Sequence, residues 1–273
     1  MKTRIAIIVG IIILGSTYLF YAQSKKKELT ITTVKTGEQF GEIAAKIQKQ
    51  DSTLYVFDID NTLLITNQNK FGSDWWYSQS SKDESLRLNV SPTCLYDVLT
   101  PLFYATFSTT AVFEKQPTDV NALANTLSKT IALTSRAYTP NIATSTELEL
   151  GKNGFNFLQK DSVALNPSKD VVMLNSVIYT KGGNKGDVLL AYVKEHPEFN
   201  KYYFFDDSIG KVEDVQAAFK GKDYNISLFH YEIAPKILYT EDEISYMKKK
   251  LCNLIEDLRQ AGNTDCQCQN KTE

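Results

Sequence analysis

Two aspartates, Asp58 and Asp60, stand where the apolar run Thr53–Phe57 gives way to Asp58-Ile59-Asp60-Asn61-Thr62. In such a pair one carboxylate can attack while the other carries a proton. Thr134 and Ser135 follow a second apolar run and offer hydroxyls and backbone N–H donors to anionic oxygens. Lys185 supplies a fixed positive charge, and Asp206 with Asp207 supplies hard oxygen ligands of the kind Mg2+ takes. Nucleophile, proton carrier, cation site and oxygen donors are the parts that phosphoryl transfer needs. Each residue alone reads as a cap, turn or solvated loop position; their occurrence together and in this order is what points to chemistry.

These groups need elements that end at one place. Thr53–Phe57 is β-branched and aromatic and reads as a buried strand running into its polar turn. Residues 119–129 carry Val120, Leu123, Ala124 and Leu127 at helical spacing and lead into a strand that closes on Thr134. Val171–Tyr179 reads as a strand, Lys185–Val193 as a helix, Lys201–Phe205 as a buried strand and Tyr224–Tyr231 as one more. The alternation predicts an α/β fold, a Rossmann-like three-layer sandwich with a mainly parallel sheet. Ligands of such sheets bind beyond the carboxyl ends of the strands, where the polar clusters fall. Thr240 with Glu243 three residues on starts a last helix, whose Ile244, Met247, Leu251, Leu254, Ile255 and Leu258 share one face.

The same residues carry a family resemblance. Asp58-Ile59-Asp60-Asn61-Thr62 resembles the first motif of the haloacid dehalogenase (HAD) superfamily, Asp-x-Asp-x-Thr, and Thr134-Ser135-Arg136 is similar to the second. Lys185-Gly186 before Val188-Leu189-Leu190 resembles the Lys-Gly-x-x-Leu form of the third, with Lys181 a competing lysine near the same strand end. Phe205-Asp206-Asp207-Ser208 resembles the fourth. With Gly72-Ser73-Asp74-Trp75-Trp76, the chain is similar to a little-characterised subgroup of HAD-like proteins from intracellular bacteria. It departs from many relatives in having Lys211, rather than Asn, four residues after Asp207.

The resemblance implies a Mg2+-dependent phosphatase that hydrolyses a small phosphomonoester through an aspartyl-phosphate on Asp58. Asp60 would serve as acid and base, Thr134, Ser135 and Lys185 would hold the phosphate, and Asp58, Asp60, Asp206 and Asp207 would surround the metal. Which of Asp206 and Asp207 touches the metal directly stays open. The alternative is a catalytically idle HAD scaffold that binds phosphate or a protein partner.

Outside these motifs the sequence divides into parts. Residues 64–117 form an insertion, a small cap within a catalytic unit of residues 51–240. Its Phe71, Trp75, Trp76, Tyr77, Phe103, Tyr104 and Phe107 would either contact a leaving group or form the cap's own core. Met1-Lys2-Thr3-Arg4 and the uncharged stretch Ile5–Ala22 make residues 1–24 a signal peptide or a membrane anchor, an N-terminal hydrophobic helix followed by a lead-in over residues 25–50. Export is expected, to a bacterial periplasm or anchored in the inner membrane, with the membrane a partner if the segment is uncleaved. Residues 241–273 are the last helix and a tail. In an oxidising compartment Cys252 can pair with Cys266 or Cys268, leaving Cys94 unpaired; the alternative is an ordinary polar tail of unpaired thiols. Acidic and basic residues nearly balance, 32 against 30, so nothing in the overall charge points to nucleic acid, and no nucleic-acid partner is expected. Only His196 and His230 are present, so a histidine-based phosphatase or His-rich metal site is disfavoured.

Overall fold

A computed structural model describes residues 28–48, 52–66, 90–91, 93–106, 108–159, 162–166, 171–235, 240–262 and 266–268. The predicted leader lies outside the described residues, as do Phe71, Trp75, Trp76, Tyr77 and Phe107. No helix among the described residues is long and apolar enough to cross a membrane.

The protein is α/β. Its strands are β1 (Ile31–Val34), β2 (Thr53–Phe57), β3 (Leu64–Thr66), β4 (Thr109–Ala111), β5 (Lys129–Thr134), β6 (Ser162–Asn166), β7 (Val171–Leu174), β8 (Val177–Tyr179), β9 (Lys201–Asp206) and β10 (Ile226–Tyr231). The helices are α1 (Gly37–Ile47), α2 (Thr100–Thr106), α3 (Gln116–Asn121), α4 (Pro140–Lys152), α5 (Lys185–Glu195), α6 (Ile209–Phe219) and α7 (Glu241–Gln260). A π-helical stretch, Cys94–Leu99, runs directly into α2.

An eight-stranded sheet has the order β1-β10-β9-β2-β5-β8-β7-β6. Pairing is parallel from β1 through β8 and antiparallel from β8 through β7 to β6. Strand residues alternate between two faces, as the period of two requires. Leu54, Val56, Ile131, Leu133, Tyr202 and Phe204 pack with α5 and α6 on one side, while Tyr55, Phe57, Ala132 and Phe205 pack with α1, α4 and α7 on the other. β2 sits where the order reverses: the chain goes from β2 to β5 and β8 on one side, then to β9 and β10 on the other. A crevice outside the carboxyl ends of the strands forms at such a reversal.

β3 and β4 form a separate antiparallel pair at the root of the insertion. Strand β1 belongs to the main sheet and helix α1 to its covering layer.

Three sequence expectations differ from the structure. The predicted helix over residues 119–129 ends at Asn121, because the Asn125 side chain accepts from Leu127 N at 2.8 Å and Asn125 and Ser128 exchange backbone hydrogen bonds. Such local bonding by Asn competes with the helix, and Leu127 is left 57% exposed. The single strand predicted over Val171–Tyr179 is a hairpin, turned by Asn175 and Ser176 at φ 50° and 64°. Cys94 is not unpaired. It bonds to Cys266 across 172 residues, and Cys252 bonds to Cys268. The π-helical stretch brings Cys94 to the tail, a proximity that sequence spacing does not carry.

Candidate active site

The register of the central strands sets two acids side by side. Phe57 lies opposite Phe205, and Asp58 N donates to Phe205 O at 2.9 Å, so Asp58 and Asp206 are neighbours at the ends of β2 and β9. Beneath them Phe57, Phe205 and Phe229 stack across adjacent strands with ring centroids 4.6 and 4.5 Å apart. This row of rings fixes the two strand ends. Thr62 joins the next turn to the site by accepting from Asp207 N at 3.0 Å.

Lys185 is the first residue of α5, which Asn184 caps by accepting from Asp187 N at 2.9 Å. Its ammonium is buried; Nζ donates to Asp58 Oδ1 and, at 2.7 Å, to Asp206 Oδ2. Lys181, the competing lysine, is exposed in the left-handed turn before the helix. Gly186 lets α5 approach α6, since a Cβ there would meet Asp214 O at 2.2 Å. Lys211 donates to Gly183 O at 3.3 Å and so braces the turn leading to Lys185.

Asp58, Asp206 and Asp207 each offer a carboxylate oxygen within 4.8 Å of the others. Burial pushes the Asp58 carboxyl well above the ordinary carboxylate range; Lys185 pulls it down, and Asp206, Asp207 and Asp60 push it up again. Burial alone would lower the Lys185 ammonium, but Asp206 and Asp58 overcome it and hold the lysine charged. Three carboxylates thus face one ammonium. Their surplus negative charge and oxygen-only donors fit a hard divalent cation such as Mg2+.

Asp60 has a cation of its own. Its oxygens accept from one guanidinium, Arg136 Nε at 3.0 Å and Nη2 at 2.8 Å. Arg136 Nη1 donates to Glu149 Oε2 and Thr146 Oγ1 of α4, both at 2.8 Å, and the guanidinium lies 4.0 Å from the ring centroid of Tyr104. Burial opposes the charge on Arg136, yet Asp60 and Glu149 hold it firmly protonated. Asp60, expected among the metal-site residues, forms this ion pair with Arg136.

Thr134 and Ser135, the expected phosphate-binding residues, stand at the end of β5. Thr134 Oγ1 accepts from Arg136 N at 3.2 Å, and the Ser135 carbonyl accepts from Gly182 N at 2.9 Å. These contacts knit β5 to the turn before α5. The roles of Arg136, Glu149 and Tyr104 were missed by sequence reasoning. The one local cue was an Arg two residues after a strand-end Thr.

A family described as "Protein of unknown function (DUF2608)" matches residues 36–258. The chain belongs to this family. The DUF2608 span runs from the N-cap of α1 into α7 and takes in the Asp58, Lys185, Asp206 and Asp207 cluster together with the Asp60–Arg136 pair. No curated protein and no solved structure matches the chain.

Proposed function

We propose that the protein is a divalent-metal-dependent phosphomonoester hydrolase of the HAD type, with a Rossmann-like core and the insertion as its cap. The observation that carries this reading is the convergence of Asp58, Asp206, Asp207 and the buried Lys185 at the carboxyl ends of parallel strands. Asp58, Asp206 and Asp207 would hold Mg2+, which supplies neutralisation of the charge on the phosphoryl oxygens. Asp58 attacks phosphorus and the bond to the leaving oxygen breaks, giving an aspartyl-phosphate. Lys185 eases the ionisation of Asp58 and holds it in place during attack. Asp60 takes the proton of the water that opens this intermediate, and phosphate departs as Asp58 is regenerated. In the first step Asp60 gives its proton to the leaving oxygen, and it recovers one from that water. Two disulfides support an oxidising compartment and hence export.

One observation favours an idle scaffold instead: basic side chains engage Asp58 and Asp60 alike. A panel of small phosphorylated metabolites, assayed with Mg2+ and with EDTA, separates the readings. Mg2+-dependent phosphate release with a mass-tagged phosphoryl group on Asp58 is the expected result. Full turnover in excess chelator, or the phosphoryl group on Asp60, would refute the mechanism.

A further inference from the structure

The Arg136 side chain joins parts of the molecule that share no other role. Asp60 comes from the turn after β2, Thr146 and Glu149 come from α4, and Tyr104 comes from α2 inside the insertion. A fork that grips both oxygens sets the position and the roll of a carboxylate, which a single point contact does not. The ring of Tyr104 lies against the guanidinium and limits where that plane can sit. All the groups are buried, so water offers no substitute for a lost partner.

We propose that Arg136 is a positioning residue for Asp60 and that Tyr104 makes the insertion part of that positioning. How α2 sits on the core then sets how well Asp60 meets the water that opens the intermediate. This rests on the phosphatase reading given above. A bare structural role for Arg136 would weaken folding and both chemical steps together; a positioning role slows the step that uses Asp60.

The test uses the full-length protein with Mg2+ and p-nitrophenyl phosphate, whose phenolate leaves without needing a proton from Asp60. In Arg136→Lys, which keeps the charge and loses the fork, and in Tyr104→Leu, which loses the ring, rapid mixing should show a nitrophenolate burst of about one per site. Steady turnover should fall by about 10²-fold, the scale of a small misplacement of a catalytic group. Tyr104→Phe, which keeps the ring face, should restore wild-type behaviour. Burst and turnover falling in parallel, or both staying at wild-type values in the folded variants, would overturn the proposal. A second readout does not depend on activity: the crystal structure of Tyr104→Leu should show the Asp60 carboxylate turned away from its wild-type place. An unmoved carboxylate overturns the positioning role. A wild-type protein inert with Mg2+ sinks the phosphatase reading alone, and the position of Asp60 still decides for or against Arg136.

Discussion

The residue that balances the site is Lys185, a buried ammonium among three carboxylates. Replacing it with Met leaves those carboxylates facing one another, and removal of one member from a buried charge group costs about 3–5 kcal/mol. Urea denaturation of Lys185→Met in chelator should show a loss of that order, partly recovered on adding Mg2+. The direction of the Asp58 shift gives a second expectation. A carboxyl raised in the folded protein binds its proton more tightly there than in the unfolded chain. Its contribution to stability is therefore full below the unfolded value of about 3.9 and is lost as pH rises through the raised folded value. Denaturation curves from about pH 4 to about pH 8 in EDTA should show wild type losing stability relative to Asp58→Asn as pH rises, and Mg2+ should remove the difference. The acids and Lys185 were legible in the sequence because each closes or opens a strongly patterned element. The hold of Arg136 on Asp60 was not, since it joins residues 76 positions apart through a side-chain fork that has no periodicity.

At the scale of elements, the contact of α5 with α6 is built on Gly186. A methyl group there meets a backbone oxygen of α6 rather than a side chain that could swing aside. Gly186→Ala should cost about 1–3 kcal/mol, the usual range for overpacking, and should weaken phosphate release by shifting the start of α5, which carries Lys185. Thermal melts together with the phosphatase assay check both effects. The strands β2, β9 and β10, helix α5 and the Thr240 cap of α7 were readable from apolar runs and capping residues. The end of α3 and the β7–β8 hairpin were not. Apolar spacing continued through Leu127 and through Val177, whereas Asn125, Asn175 and Ser176 used local bonds and left-handed backbone to turn the chain.

Across the whole molecule, two disulfides tie the carboxyl-terminal tail down, one to the root of α2 and one to α7. The chain-entropy account makes the longer closed loop the more stabilising, by about 2 kcal/mol for these two separations. Replacing Cys94 and Cys266 by Ser should therefore destabilise the protein more than replacing Cys252 and Cys268, as read by guanidinium denaturation of the two double variants. Equal losses would show that strain or residual structure, rather than loop length, decides the matter. Pairing over 172 residues is a product of the tertiary fold, and no sequence window contains it.

β1 runs parallel to β10 and its neighbours, so Ile31 starts at the blunt end of the sheet, opposite the mouth where Asp58 and Asp206 meet. A tether through residues 5–22 would grip the protein by that blunt end. The mouth would then look outward, away from the bilayer, toward ligands arriving from the surrounding fluid rather than from the lipid.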